Sequence, residues 1–132
     1  MSNYPSWTTT EDLTSEDYLD SRDMEAWLNW WDEDMIAEED ESNGDTSLAG
    51  LRATILEIRE ECEGYGWEHG ILFVRESYWE EYARQLAEDV GAIDRNAAWP
   101  ACHIDWGAAA DALMRDYNES DVGRMTYYWQ EA

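Results

Sequence analysis

The spacing of apolar residues predicts most of the secondary structure in this chain. Between residues 21 and 41, apolar side chains recur every three or four positions: Met24, Trp27, Leu28, Trp31 and Met35, with Trp30 and Ile36 beside them. This period is typical of one face of an α-helix. Because acidic residues fill most of the other positions, we expect one helix that begins near Thr14 or Ser21, with an aromatic face in the core and an anionic face in solvent.

A second helix is predicted after the turn formed by residues 42–45, where Asn43-Gly44 favours a reversal of the chain. Its buried positions are spaced three and four apart: Leu48, Leu51, Ile55, Ile58 and Cys62. Gly64 is expected to end it, because glycine readily adopts the left-handed conformation that follows many helices.

Two further helices are predicted in the second half of the chain. Ser77-x-x-Glu80 has the form of a capping box and is expected to begin a helix that stops at Gly91. Its predicted buried stripe is Trp79, Tyr82, Ala83, Leu86 and Val90. Asp105 is expected to cap the last helix, over residues 106–116.

Two short strands complete the predicted architecture. Residues 70–75 are dense in branched apolar side chains, and residues 123–130 combine aromatic and β-branched types. About four helices with a small antiparallel sheet or hairpin define an α+β fold. The turn at 42–45 predicts a division into an acidic N-terminal segment with one helix, residues 1–45, and a compact α+β domain, residues 46–132.

The charge of the chain is extreme for its length. It has 32 acidic residues and eight arginines but no lysine, which leaves a net charge of −24 on 132 residues. Self-repulsion of this size destabilises a compact state, so a functional benefit is expected. Duplex DNA carries about two charges per base pair, and 24 charges correspond to about 12 base pairs over about 40 Å. The charge therefore predicts a mimic of DNA.

Acidic residues three or four apart on a helix lie on the same side and form rows. Three such rows are predicted: Asp34–Glu38–Glu41, Glu57–Glu60–Glu61 and Glu81–Glu88–Asp89. The complete set expected to contact a partner is Asp32, Glu33, Asp34, Glu38, Glu39, Asp40, Glu41, Glu57, Glu60, Glu61, Glu63, Glu81, Glu88 and Asp89. We expect neutralisation of the four acids at 38–41 to weaken binding and to leave the fold intact.

Catalysis, cofactors and membranes are not expected. The chain has no glycine-rich phosphate loop, no nucleophile elbow and no His-Glu metal motif. Cys62, Cys102, His69 and His103 lack paired zinc-ligand spacing, so reduced thiols are expected. Without an apolar span or a secretory leader, a cytoplasmic location in a bacterial host is expected, with no membrane partner. The charge also opposes direct binding of nucleic acid.

Part of the C-terminal half resembles a known family. Tyr78–Ala83, Leu86–Gly91, Trp99-Pro100, Ile104–Ala109 and Asp116-Tyr117 follow one another in an order similar to the C-terminal domain of ArdA-type antirestriction proteins. The resemblance covers about residues 72–130, and residues 1–50 do not share it. It implies an acidic DNA mimic that occupies the DNA-binding groove of a type I restriction–modification enzyme, often as a homodimer.

Other functions fit the same charge. By the same mimicry, the protein could instead be expected to inhibit a CRISPR–Cas effector, which holds nucleic acid in a basic channel. A module that binds another basic protein is the second alternative. A general adaptation to high salt is the third, although nine tryptophans and the concentration of charge in the first 50 residues do not favour it.

Overall fold

The computed structural model describes residues 5–91 and 104–132 and confirms the α+β fold. In these residues six α-helices accompany four strands. The helices are α1 (Thr10–Thr14), α2 (Ser21–Trp30), α3 (Glu33–Asn43), α4 (Ser47–Glu61), α5 (Trp79–Asp89) and α6 (Trp106–Met114). The strands are β1 (Tyr18–Asp20), β2 (Leu72–Arg75), β3 (Asn118–Val122) and β4 (Met125–Trp129).

The four strands form one antiparallel sheet in the order β1-β2-β4-β3. Phe73 of β2 lies opposite Leu19 on one side and opposite Trp129 on the other. Successive side chains of a strand point to opposite faces. Phe73 and Trp129 therefore belong to one core, whereas Val74 and Tyr128 belong to another.

Helices cover both faces of this sheet, so the fold has three layers. The larger core lies between the sheet and α1–α4 and includes the fully buried Trp27, Leu51 and Ile55. The smaller core lies on the opposite face, where Trp79 of α5 and Ala110 of α6 pack against Tyr128. The Trp79 indole N–H donates to the Ala110 carbonyl oxygen at 2.8 Å, which ties the two helices together.

The N-terminal segment is part of the larger core and does not form a separate layer. Leu13, Leu19 and Met24 are buried in the same cluster as residues of α4, and β1 is an edge strand of the common sheet. Residues on both sides of the predicted boundary at 45 therefore share one core. The prediction of one helix in residues 1–45 is wrong, because this segment contains α1, α2 and α3.

The break between α2 and α3 has a local cause. Trp31 has an extended backbone (φ −90°, ψ 96°), and the Asp32 side chain accepts from the Met35 backbone N–H at 2.8 Å. Asp32 thus caps a new helix instead of continuing the old one. The apolar period across 24–36 is nearly continuous because both helices pack against the same core.

The later helices agree with the prediction more closely. Asp105 caps α6 by accepting from the Ala108 N–H at 3.1 Å, and Gly91 follows α5 with a left-handed φ of 76°. The Ser77 capping box is wrong, because α5 begins after Tyr78 without a side-chain cap and Ser77 accepts from Arg75 Nε at 2.8 Å. Val90 is 69% exposed and lies outside the buried stripe.

Candidate acidic interface

Nearly all the negative charge of the described residues faces solvent. The acidic residues there are exposed with four exceptions: Asp20, Glu25, Asp40 and Glu88. Within the same part of the chain, arginine forms salt bridges with three carboxylates, those of Asp20 (2.9 Å), Glu33 (3.4 Å) and Glu25 (3.3 Å). The folded protein therefore presents most of its carboxylates to solvent without a neighbouring cation.

Helices α3 and α4 are joined side by side by two polar contacts. Near the end of α3, the Asp40 carboxylate accepts from the backbone N–H groups of Leu48 and Ala49, each at 3.0 Å. At its start, Glu33 pairs with Arg52 near the middle of α4. The two helices consequently run in opposite directions, and the C-terminal half of α4 extends beyond the start of α3.

This arrangement brings two of the predicted acidic rows into one helical layer. We define the α3–α4 acidic face as ten exposed acidic residues: Glu33, Asp34, Glu38, Glu39, Glu41, Asp45, Glu57, Glu60, Glu61 and Glu63. At 1.5 Å per residue, α4 with its 15 residues is about 22 Å long. Duplex DNA carries about 13 phosphates over that length. The ten exposed carboxylates on the two helices and beside their ends are somewhat fewer than these 13 phosphates, and one of them, Glu33, is paired with Arg52.

The third predicted row lies elsewhere. Glu81, Glu88 and Asp89 belong to α5, which packs on the opposite face of the sheet through Trp79 and Ala83. Glu81 and Asp89 are exposed, whereas Glu88 is half-buried. The structure therefore does not bring this row together with the α3–α4 acidic face.

The structure corrects the prediction that Asp40 contacts a partner. Its side chain is buried, with 6% of the residue exposed, and both of its carboxylate oxygens are used to cap α4. The N-terminus of α4 carries the positive end of the helix dipole and stabilises the buried charge. Asp40 lies four residues after the buried Ile36, so the helical period already placed it on the core side of α3.

Some of the other predicted contact residues also have structural partners. Asp32 caps α3, Glu33 pairs with Arg52, and Glu61 accepts from the Ser120 hydroxyl at 3.0 Å. Sequence reasoning missed Glu25, which accepts from the Trp67 indole N–H at 3.1 Å and pairs with Arg59. Glu25 lies three residues before the half-buried Leu28 on α2, and this spacing could have indicated that Glu25 is close to the core.

The described residues offer few other groups that could bind a metal ion or react chemically. They hold no group of three side chains able to ligate a metal ion. Cys62 is fully buried, and burial raises the pKa of its thiol to about 12, which keeps it protonated.

Cys102 and His103 lie outside the described residues, as does the Trp99-Pro100 pair of the family resemblance. No helix within the described ranges has the length and apolar character needed to cross a membrane.

Comparison with known proteins identifies no relative of this chain. No family model, curated protein or solved structure matches the chain. The resemblance to ArdA-type proteins remains a prediction, and the function is inferred from the acidic interface itself.

Proposed function

We propose that this protein is a DNA mimic that inhibits a nucleic-acid-binding defence enzyme, with a type I restriction–modification enzyme as the first candidate target. The observation that supports it best is the α3–α4 acidic face, whose ten exposed carboxylates lie on two adjoining helices and beside their ends. A basic groove that binds about 13 phosphates over about 22 Å of duplex DNA would meet a comparable number of negative charges here.

The rigidity of the support favours this function over that of a simple acidic tail. Helix α3 is fixed to α4 by Asp40 and Glu33, and α4 is anchored in the larger core by Leu51 and Ile55. The backbone of packed helices is already ordered before binding, so the carboxylates lose only side-chain freedom and more of the electrostatic attraction is available as affinity. A disordered polyanion of equal charge lacks this advantage.

Competition for DNA tests the proposal directly. A purified type I restriction enzyme and a CRISPR–Cas effector are each incubated with labelled target DNA and titrated with this protein. We expect displacement of DNA from the restriction enzyme, with no binding of DNA by the protein itself. Displacement from the Cas effector alone identifies the alternative target.

An unstructured polyglutamate with 24 negative charges is the control for charge alone. Equal displacement by the polyglutamate and by the folded protein contradicts mimicry by a shaped surface. If neither enzyme releases its DNA while the protein is folded, the proposal fails. A pull-down for basic protein partners then becomes the appropriate experiment.

A further inference from the structure

We propose that the open edge of strand β3 binds an extended basic peptide, which adds to the sheet as a further strand. Strand β3 stands last in the sheet order β1-β2-β4-β3, so among the described residues one of its sides has no neighbouring strand. An edge strand presents unpaired backbone N–H and C=O groups with which another chain can pair. This site is separate from the α3–α4 acidic face and does not depend on the proposed function.

The turn between β3 and β4 shows which backbone groups of β3 face outward. Val122 pairs with Met125 across a turn of two residues, and the first of these, Gly123, has the positive φ of 62° that such turns favour. The residues that flank a two-residue turn form a hydrogen-bonded pair, and such pairs alternate along an antiparallel ladder. Glu119 and Asp121 therefore direct their backbone N–H and C=O groups away from β4.

These outward backbone groups are accessible. Glu119 and Asp121 are both exposed, and within the described part of the chain their outward N–H and C=O groups form no hydrogen bond. Two residues of a strand span about 7 Å, which is also the repeat of the hydrogen-bonded pairs in an added antiparallel strand. The edge thus offers two donors and two acceptors at the spacing that a peptide strand requires.

The side chains beside this edge are acidic on both faces of the sheet. Glu119 lies opposite Tyr128 of the smaller core, so its carboxylate and that of Asp121 lie on the face that packs against α5 and α6. On the other face, the Ser120 hydroxyl donates to Glu61 at 3.0 Å, which places that carboxylate next to β3. A peptide with lysine or arginine at alternate positions is complementary to these charges.

The same charges decide between the chains that are able to pair with this edge. A second copy of the protein brings identical carboxylates to the edge, and like charges on paired strands are destabilising. Charged side chains on edge strands also discourage pairing between copies. In the described residues, neither Glu119 nor Asp121 forms a salt bridge, so both charges are available to a cation. A basic peptide is therefore the occupant that the edge favours, with backbone hydrogen bonds and charge acting together.

Hydrogen exchange followed by NMR tests the site with a synthetic peptide and without any defence enzyme. The probe is a capped eight-residue peptide of alternating lysine and valine. In the free protein we expect rapid exchange at the Glu119 and Asp121 N–H groups and protection at Ser120 and Val122, which bond to β4. At saturation the probe is expected to slow exchange at Glu119 and Asp121 at least about tenfold. Failure of the probe to bind, or binding that leaves both rates unchanged, overturns the proposal.

Two control peptides separate strand addition from simple attraction of charge. A peptide of alternating lysine and proline has the same charge, but proline lacks the N–H group that a strand needs. A peptide of alternating serine and valine has the backbone groups and lacks the charge. We expect no protection by the first and at least about fivefold weaker binding of the second. Protection by the proline peptide overturns strand addition, and equal binding of the serine peptide overturns the preference for a basic partner.

Two double variants locate the binding site. Glu119→Gln with Asp121→Asn removes two charges from the edge and retains the acceptor for the Thr126 hydroxyl. Glu38→Gln with Glu41→Gln removes the same charge from α3 and is the control. We expect the first pair to weaken binding of the lysine–valine peptide about fivefold and the control to change it less than about twofold.

Equal weakening by both pairs overturns the assignment to β3. Protection of Glu119 and Asp121 in the protein alone at high concentration assigns the edge to a second copy of the chain and also overturns the proposal. Because the assay contains no defence enzyme, its outcome is independent of the competition for DNA. Peptide pairing without displacement of DNA rejects only the DNA mimic, and displacement of DNA without peptide pairing rejects only the β3 site.

Discussion

Two adjacent acidic residues of α3 have opposite roles. Glu39 is exposed, whereas Asp40 is buried and caps the next helix. Successive residues of an α-helix are rotated by about 100°, since 3.6 residues make one turn. Single positions, and not the acidic run as a whole, therefore decide which carboxylates are available to a partner.

Replacement of Asp40 by alanine is expected to destabilise the fold, so the expectation that neutralising residues 38–41 leaves the fold intact is wrong at Asp40. The Leu48 and Ala49 N–H groups lose their acceptor, and a lost cap with buried donors costs about 2 kcal/mol. Urea denaturation followed by circular dichroism measures the change in the free energy of unfolding. The control, Glu39→Ala, is expected to shift it by less than about 0.5 kcal/mol. Equal effects of the two substitutions contradict the role given to Asp40.

Buried tyrosines predict a loss of stability at high pH. Burial raises the pKa of Tyr127 and of Tyr128 to about 12, from 10.0 for a free side chain, and it also raises the pKa values of Tyr18 and Tyr117. The folded state retains these protons more tightly than the unfolded state. Their stabilisation is therefore complete below pH 10 and is lost as the pH rises from 10 to 12.

Alkaline titration checks this expectation. Circular dichroism reports unfolding, and absorbance at 295 nm reports tyrosinate formation. The two changes are expected to occur together above pH 10. Ionisation of Tyr18, Tyr117, Tyr127 and Tyr128 near pH 10 in a chain that stays folded would contradict the raised pKa values of these four side chains.

At the scale of elements, the sequence predicts the three later helices and two of the four strands, β2 and β4. The periods in α4, α5 and α6 are clear because each helix buries one face against the sheet. Strand β1 has three residues, and β3 is largely polar (Asn-Glu-Ser-Asp-Val), so neither shows an apolar alternation. Their positions depend on pairing with β2 and β4, which is non-local and not visible in a local pattern.

The acidic interface was predictable only in part for the same reason. The rows on α3 and α4 follow from helical spacing, and the sequence identified them. The contacts that join α3 to α4 connect residues eight to 19 positions apart, and the separation of the α5 row needs the complete sheet. Tertiary packing therefore decides which rows act together.

Removal of Trp79 tests the packing of α5 against the sheet. Trp79 is nearly fully buried and contacts Tyr128 and Tyr117, with ring centroids at 5.0 and 4.7 Å. Trp79→Ala is expected to cost about 3–5 kcal/mol of unfolding free energy. Tyr82→Ala is the comparison and is expected to cost less, because Tyr82 is half-buried. Thermal and urea denaturation give both values, and the reverse order would contradict this packing.

At the scale of the whole molecule, an apolar core in layers is combined with a surface of unusually high negative charge. The buried residues form two apolar clusters, so the packing of apolar side chains is the main favourable contribution to folding. A net charge of −24 opposes this packing through repulsion at the surface. The balance between the two determines how the protein responds to salt.

Salt is expected to stabilise the protein moderately and not to be required for folding. Screening acts over about 10 Å at 0.1 M and weakens repulsion between exposed carboxylates. We expect a folded protein in 50 mM NaCl whose free energy of unfolding increases as NaCl is raised to 500 mM, as measured by urea denaturation. A chain that is unfolded in 50 mM NaCl and folds only in molar KCl supports the high-salt adaptation instead.

The central claim is that the α3–α4 acidic face, and not total charge, displaces DNA from a defence enzyme. Two variants with the same net charge test it in the competition assay. The face variant converts Asp34, Glu38, Glu41, Glu57 and Glu60 to their amides, and the control variant converts Glu80, Glu81, Asp89, Asp111 and Glu119, which are also exposed.

The measurement is the inhibition constant of each variant against labelled DNA on the restriction enzyme. We expect the face variant to lose at least about tenfold and the control variant less than about threefold, because only the first removes contacts in the groove. Equal losses by the two variants would show that net charge alone acts, and would contradict mimicry by this face.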